Sequence, residues 1–197
     1  MKGINCFFGI LLSFLACNFF VSAEVEQVTV KWTPGLCITN CPQSLEKEFK
    51  KIKGVATISI NQGSGQADLT WKPNEPFTYQ LVSTAMRMIG LTIHDFRVRV
   101  KGTIRHDDHN VILVSIGDNT RFVLLGPITP SLHNQVIEHN VQNHPLAAGK
   151  RDQLLNAEMN NQIVTIEGPI FEGWKAPPLY LIAEQVQVQQ NPPEQKR

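Results

Sequence analysis

Several signatures are missing from this sequence, and each absence removes a class of function. No Ser, His and Asp stand in a context that would assemble a nucleophile with its base, and no glycine-rich loop opens a helix as a phosphate cradle must. Gly63-Ser64-Gly65 reads as a turn, because no helix follows it. An enzyme is therefore not expected. Charge of one sign is not in excess either: 18 Lys and Arg face 17 Asp and Glu. That balance leaves no electrostatic footprint for nucleic acid, so no nucleic-acid partner is expected. Beyond residue 23 no apolar run approaches the roughly 20 residues of a bilayer-spanning helix, which excludes a membrane span after leader removal. The four methionines form no run that would suggest a thioether copper site, and no internal repeat is visible.

What is present begins with a leader. Lys2 is the only charge before an apolar run from Cys6 to Phe20, and Val21-Ser22-Ala23 supplies small residues for cleavage. Residues 1–23 thus read as a secretory signal peptide, and the mature protein is expected to be exported: periplasmic if the source is Gram-negative, otherwise secreted. Removing 23 residues from 197 leaves 174, enough for one large domain or two small ones. Cys6 and Cys17 depart with the leader. Cys37 and Cys41 are then the mature chain's only cysteines.

Hydrophobic periodicity divides the mature chain in two. Val28, Val30 and Trp32 alternate with Thr29 and Lys31, as in a half-buried strand. A short helix is expected from Cys41, with Pro42 in its first turn, Leu45, Phe49 and Ile52 on its apolar face, and Gly54 as its stop. Ala56, Ile58 and Ile60 form one arm of a hairpin turning at 61–65, and Ala67, Leu69 and Trp71 form the other. A second helix is expected to present Phe77, Leu81, Ala85, Met88 and Ile89, followed by a strand through Phe96, Val98 and Val100. The order β-α-β-β-α-β over 24–101 is the split-βαβ, ferredoxin-like arrangement of an α+β fold. From 102 to 188 the pattern changes to short β-rich runs at 102–105, 111–114, 121–125, 163–166 and 179–182, with a polar, partly helical insertion between the third and fourth. Five such strands suggest a small OB-like barrel. Residues 189–197 read as a disordered tail.

The chemistry concentrates at Gly35-Leu36-Cys37-Ile38-Thr39-Asn40-Cys41-Pro42, between the first strand and the first helix. A cysteine opening a helix meets the positive end of the dipole, which favours thiolate over thiol. Two sulfurs converging there suit a soft ion, Cu(I), Hg(II) or Zn(II). The same pair, four residues apart in an exported protein, also suits a disulfide, and the residues alone leave both open.

Residues 27–101 resemble a heavy-metal-associated domain, the module of periplasmic mercury-binding proteins and copper metallochaperones. The likeness rests on the strand from Val28 to Trp32, the Gly-x-Cys loop at 35–37, Cys41-Pro42 opening the helix, Gly54-Val55 before the second strand and Ile89-Gly90 before the last. It implies Cys37 and Cys41 as metal ligands and a protein partner that receives the ion by ligand exchange. Three features differ from the family pattern: no Met precedes the first cysteine, three residues rather than two separate the pair, and Leu91 stands where an aromatic residue or lysine is usual.

Histidines are the other ligand type. His106-Asp107-Asp108-His109 has the composition of a metal site but falls where a hairpin turn is expected. His133 and His144 are too far apart on a helix to share an ion, and His94 reads as a partly exposed sheet residue.

Overall fold

The computed structural model describes residues 25–35, 40–128 and 140–189. Residues 1–24, which include the expected leader, the segment 36–39 with Cys37, the segment 129–139 with His133 and His139, and residues 190–197 lie outside the described residues.

Period-2 alternation builds the first sheet. Val28 and Val30 are fully buried in β1 (Val25–Lys31), and Trp32 just beyond it is buried with them. The next element is α1 (Cys41–Lys50), whose Leu45 and Phe49 are inaccessible to solvent. The hairpin of β2 (Val55–Asn61) and β3 (Gln66–Trp71), then α2 (Tyr79–Met88) and β4 (Asp95–His106), complete the unit. Its strands run β2-β3-β1-β4, with each neighbouring pair antiparallel. Helices α1 and α2 pack on one another, and their buried residues join Val28, Val30, Leu69 and Trp71 in one core. This is the strand order of a split-βαβ unit.

The expected apolar face of α2 is corrected. Leu81 and Met88 are 50% and 69% exposed, while Tyr79, Val82, Ala85 and Met86 face the core. The cause is where the helix starts. Phe77 precedes it, and its ring lies 5.4 Å from Trp71, 6.2 Å from Phe96 and 6.1 Å from Phe122, so it does not set the helical phase.

Strand β4 runs without a break through 101–102, where the character of the sequence changes. Along one edge it pairs first with β1, through Val100, and then, from Gly102, with β5 (Val111–Ser115). Its other edge is taken by β7 (Ile163–Phe171), from Arg97 to Thr103. Strand β6 (Arg121–Leu125) pairs antiparallel with β5 and parallel with β8 (Leu179–Ile182), and β8 pairs with β7. The circuit β4-β5-β6-β8-β7-β4 is a closed five-stranded barrel, filled by Ile104, Leu113, Phe122, Ile166 and Leu181. Helix α3 (Ala148–Met159) lies between the third and fourth strands, an order compatible with an OB-like barrel. A ninth strand, β9 (Gln185–Val188), adds to β7, and Gln189 continues it by donating its N–H to the carbonyl of Ile163. No helix among the described residues is long and apolar enough to cross a membrane.

Candidate functional site

The rim between β1 and α1 is shaped by three local contacts. The N–H of Trp32 donates to the carbonyl of Gly65 at 2.8 Å, pinning the β2–β3 turn beneath the end of β1. Gly65 has φ +64°, and a Cβ there would come within 2.4 Å of the Trp32 carbonyl oxygen, so a residue without a side chain is required. On the other side His94 donates its backbone N–H to Lys31 at 2.9 Å, while its imidazole Nε2 is hydrogen-bonded to the Thr33 hydroxyl.

The helix start follows from its sequence. Asn40 accepts the N–H of Ser44 through its carbonyl at 3.1 Å but supplies no side-chain cap, and Pro42 occupies the first turn. That turn holds no acidic residue, whereas Lys47 and Lys50 lie in the last. The positive end of α1 is thus not neutralised by a carboxylate of its own first turn, and it acts on Cys41, the first helical residue. When the thiol is reduced, that field favours the thiolate that binds soft ions. In the structure Cys41 is half-buried against the core and disulfide-bonded. Cys37, the other expected ligand, lies outside the described residues.

His94 is the residue that sequence reading placed least well. Rather than lying in the sheet, it is exposed and sits one residue before β4, beside the opening of the cysteine loop. No local signal in the sequence marks this place: it follows from the register of β1 with β4, Lys31 opposite Asp95, which brings the residue before β4 next to the residues after β1. Leu91, at the position where the resembled family carries an aromatic residue or lysine, is 3% exposed and belongs to the core.

The remaining candidates are not brought together. At 106–110 the structure has the expected hairpin turn: Asp107 Oδ1 accepts the N–H groups of His109 at 2.9 Å and Asn110 at 2.6 Å. Those bonds, led by the one from His109, hold the Asp107 carboxyl below the ordinary aspartate range. His106 turns away to Glu158 of α3, 2.6 Å distant. His144 is buried, its ring 6.2 Å from that of Phe171. Among the described residues no three His, Cys, Asp or Glu side chains are grouped so as to hold a metal ion.

No protein-family model matches the chain. No curated protein matches it either. Among solved structures, the crystal structure of oxidized MerP from Ralstonia metallidurans CH34 is similar over 36% of this chain and 97% of its own, at 22% identity and a TM-score of 0.31.

Proposed function

We propose that this is an exported soft-metal-binding protein that takes Cu(I), Hg(II) or Zn(II) through Cys37 and Cys41 and passes it to a protein partner. The observation that carries the reading is the place of Cys41: first residue of α1, directly after the loop from β1, in a βαββαβ unit. The sequence likeness to heavy-metal-associated domains assigns the same two positions. Two sulfur donors are the chemistry of a soft ion, and reduction of the disulfide at Cys41 must precede binding. Reduced mature protein is expected to take up about one equivalent of Cu(I) or Hg(II), and the double variant Cys37→Ser, Cys41→Ser is expected to take up none. Stoichiometric uptake by the double variant defeats the assignment.

A second reading is favoured by the disulfide itself: a non-enzymatic interaction scaffold of the cell envelope whose cysteines stay oxidised. Thiol titration of protein taken directly from its compartment, followed by metal analysis after reduction, separates the two. Oxidised cysteines that bind no ion once reduced select the scaffold.

A further inference from the structure

We propose that the cleft where the βαββαβ unit meets the barrel binds a free single-chain carboxylate, an apolar tail with one anionic head. This proposal is independent of the fate of the cysteines.

The floor of the cleft is the outer face of the barrel. Leu113, Phe122, Leu124 and Leu181 point inward and fill the barrel, so their neighbours Ile112 and Val123 point outward. Register sets them side by side, Ile112 opposite Val123 in β5–β6. Ile112 is nonetheless only 7% exposed, because walls rise over it. One wall is the entry to α2 at 77–80, and the other is the chain at 176–178 before β8.

Both walls are tied in place. Gln80 Nε2 donates to the carbonyl of Ala176 at 3.1 Å, and the N–H of Phe77 donates to Asp118 Oδ2 in the β5–β6 turn at 3.2 Å. The space between them is about 660 Å³. That lies inside the range of roughly 300–1,000 Å³ typical of small-molecule sites.

The lining decides the ligand. Among the described residues Arg121 is the only charged one around the cleft, it is exposed, and it has no acidic partner. A planar guanidinium matches a carboxylate in bidentate fashion, while the floor of Ile112 and Val123 and the prolines of the 176–178 wall offer an apolar tail only dispersion contacts and burial. Polymeric ligands fit less well. A peptide added as a strand needs a free sheet edge, and both edges of β6 are taken, by β5 and β8. A nucleic-acid strand needs several cations along its track, and one is present.

The test is a titration of mature protein, methyl-labelled at Ile, Leu and Val, with octanoate, decanoate and dodecanoate, and with decanol as the neutral partner of decanoate. Saturable shifts are expected at Ile112 and Val123, with affinity rising about fourfold per added methylene until the cleft is full. Decanoate should bind about tenfold more tightly than decanol. Arg121→Gln, an exposed substitution that leaves the core untouched, should abolish that preference while decanol affinity stays as it was. Shifts that do not saturate or fall elsewhere, no gain with chain length, or an acid preference that survives Arg121→Gln would each overturn the proposal. So would binding to anionic phospholipid vesicles with none of the soluble carboxylates bound.

Discussion

Single residues carry tight constraints where backbone meets backbone. Gly168 of β7 lies opposite Val98, and a Cβ on it would come 1.8 Å from the carbonyl oxygen of Ile182 and 3.3 Å from the N of Glu184. Neither neighbour is a flexible side chain that could swing aside. Gly168→Ala should therefore cost about 1–3 kcal/mol, read as a lowered urea midpoint at unchanged slope; a variant as stable as the parent would mean that the β7–β8 corner is looser than its geometry. Asp107 gives a pH-dependent counterpart. Its folded-state carboxyl ionises below the unfolded value, so the stabilisation is present above the ordinary aspartate range and is lost as pH falls through the folded pKa. Protection factors at His109 and Asn110, taken relative to intrinsic exchange at each pH, should fall across that acidic window. Asp107→Ala should show low protection at every pH, and a parent protein without the acid-side change would refute the turn's dependence on the carboxylate. The role of this turn was legible from Asp and Asn at 107–110, whereas the pairing of His94 with Thr33 was not, because it depends on the register of strands more than 60 residues apart.

Elements show why some patterns are readable and others are not. α1 combines a fully buried Leu45 and Phe49 with a helix start that lacks a side-chain cap, so packing and not capping holds it. Leu45→Ala should lose about 2–5 kcal/mol. Glu46→Ala, which removes only the exposed pair with Lys50, should change stability by less than about 0.5 kcal/mol. Equal losses in equilibrium denaturation would overturn this division. The same reasoning explains the misread face of α2. Leu81 and Met88 fall at one border of the apolar arc of that helix, and Val82, Met86 and Tyr79 on its other side; the aromatic cluster around Phe77 and Tyr79, whose ring centroid is 4.7 Å from that of Phe96, decides which part of the arc is covered. Strands were read more readily, since alternation at Val28 and Val30 or Ala67 and Leu69 has one physical meaning when one face is covered. Ile58 and Ile60 alternate as clearly, yet are only half-buried because β2 is the edge of its sheet.

At the scale of the whole molecule, β4 makes one body of what the sequence presents as two. The change of pattern near 101 marks a change of neighbour, from β1 to β5, along a strand that does not stop, while β7 spans the change on the opposite edge from Arg97 to Thr103. Strand identities were accessible to period and turn chemistry, but barrel closure by β4 with β7 and the parallel pairing of β6 with β8 depend on contacts far apart in sequence that no local pattern encodes. Packing joins the units as well: the ring of Phe77, before α2, lies 6.1 Å from Phe122 inside the barrel, and Val100 of β4 is opposite both Val25 and Ile166. Loss of order in either unit would therefore strip β4 of partners needed by the other. Phe49→Ala beneath α1 and Phe122→Ala in the barrel should each remove about 3–5 kcal/mol. Both should shift the same single calorimetric transition, with the calorimetric enthalpy equal to the van't Hoff value. A fragment ending at residue 101 should accordingly fail to fold, since it truncates β4 and removes both β5 and β7, the latter being the whole partner of its second edge. Two separable transitions, each moved by only one of the substitutions, together with a folded fragment, would show that the continuous strand joins two units that are energetically independent.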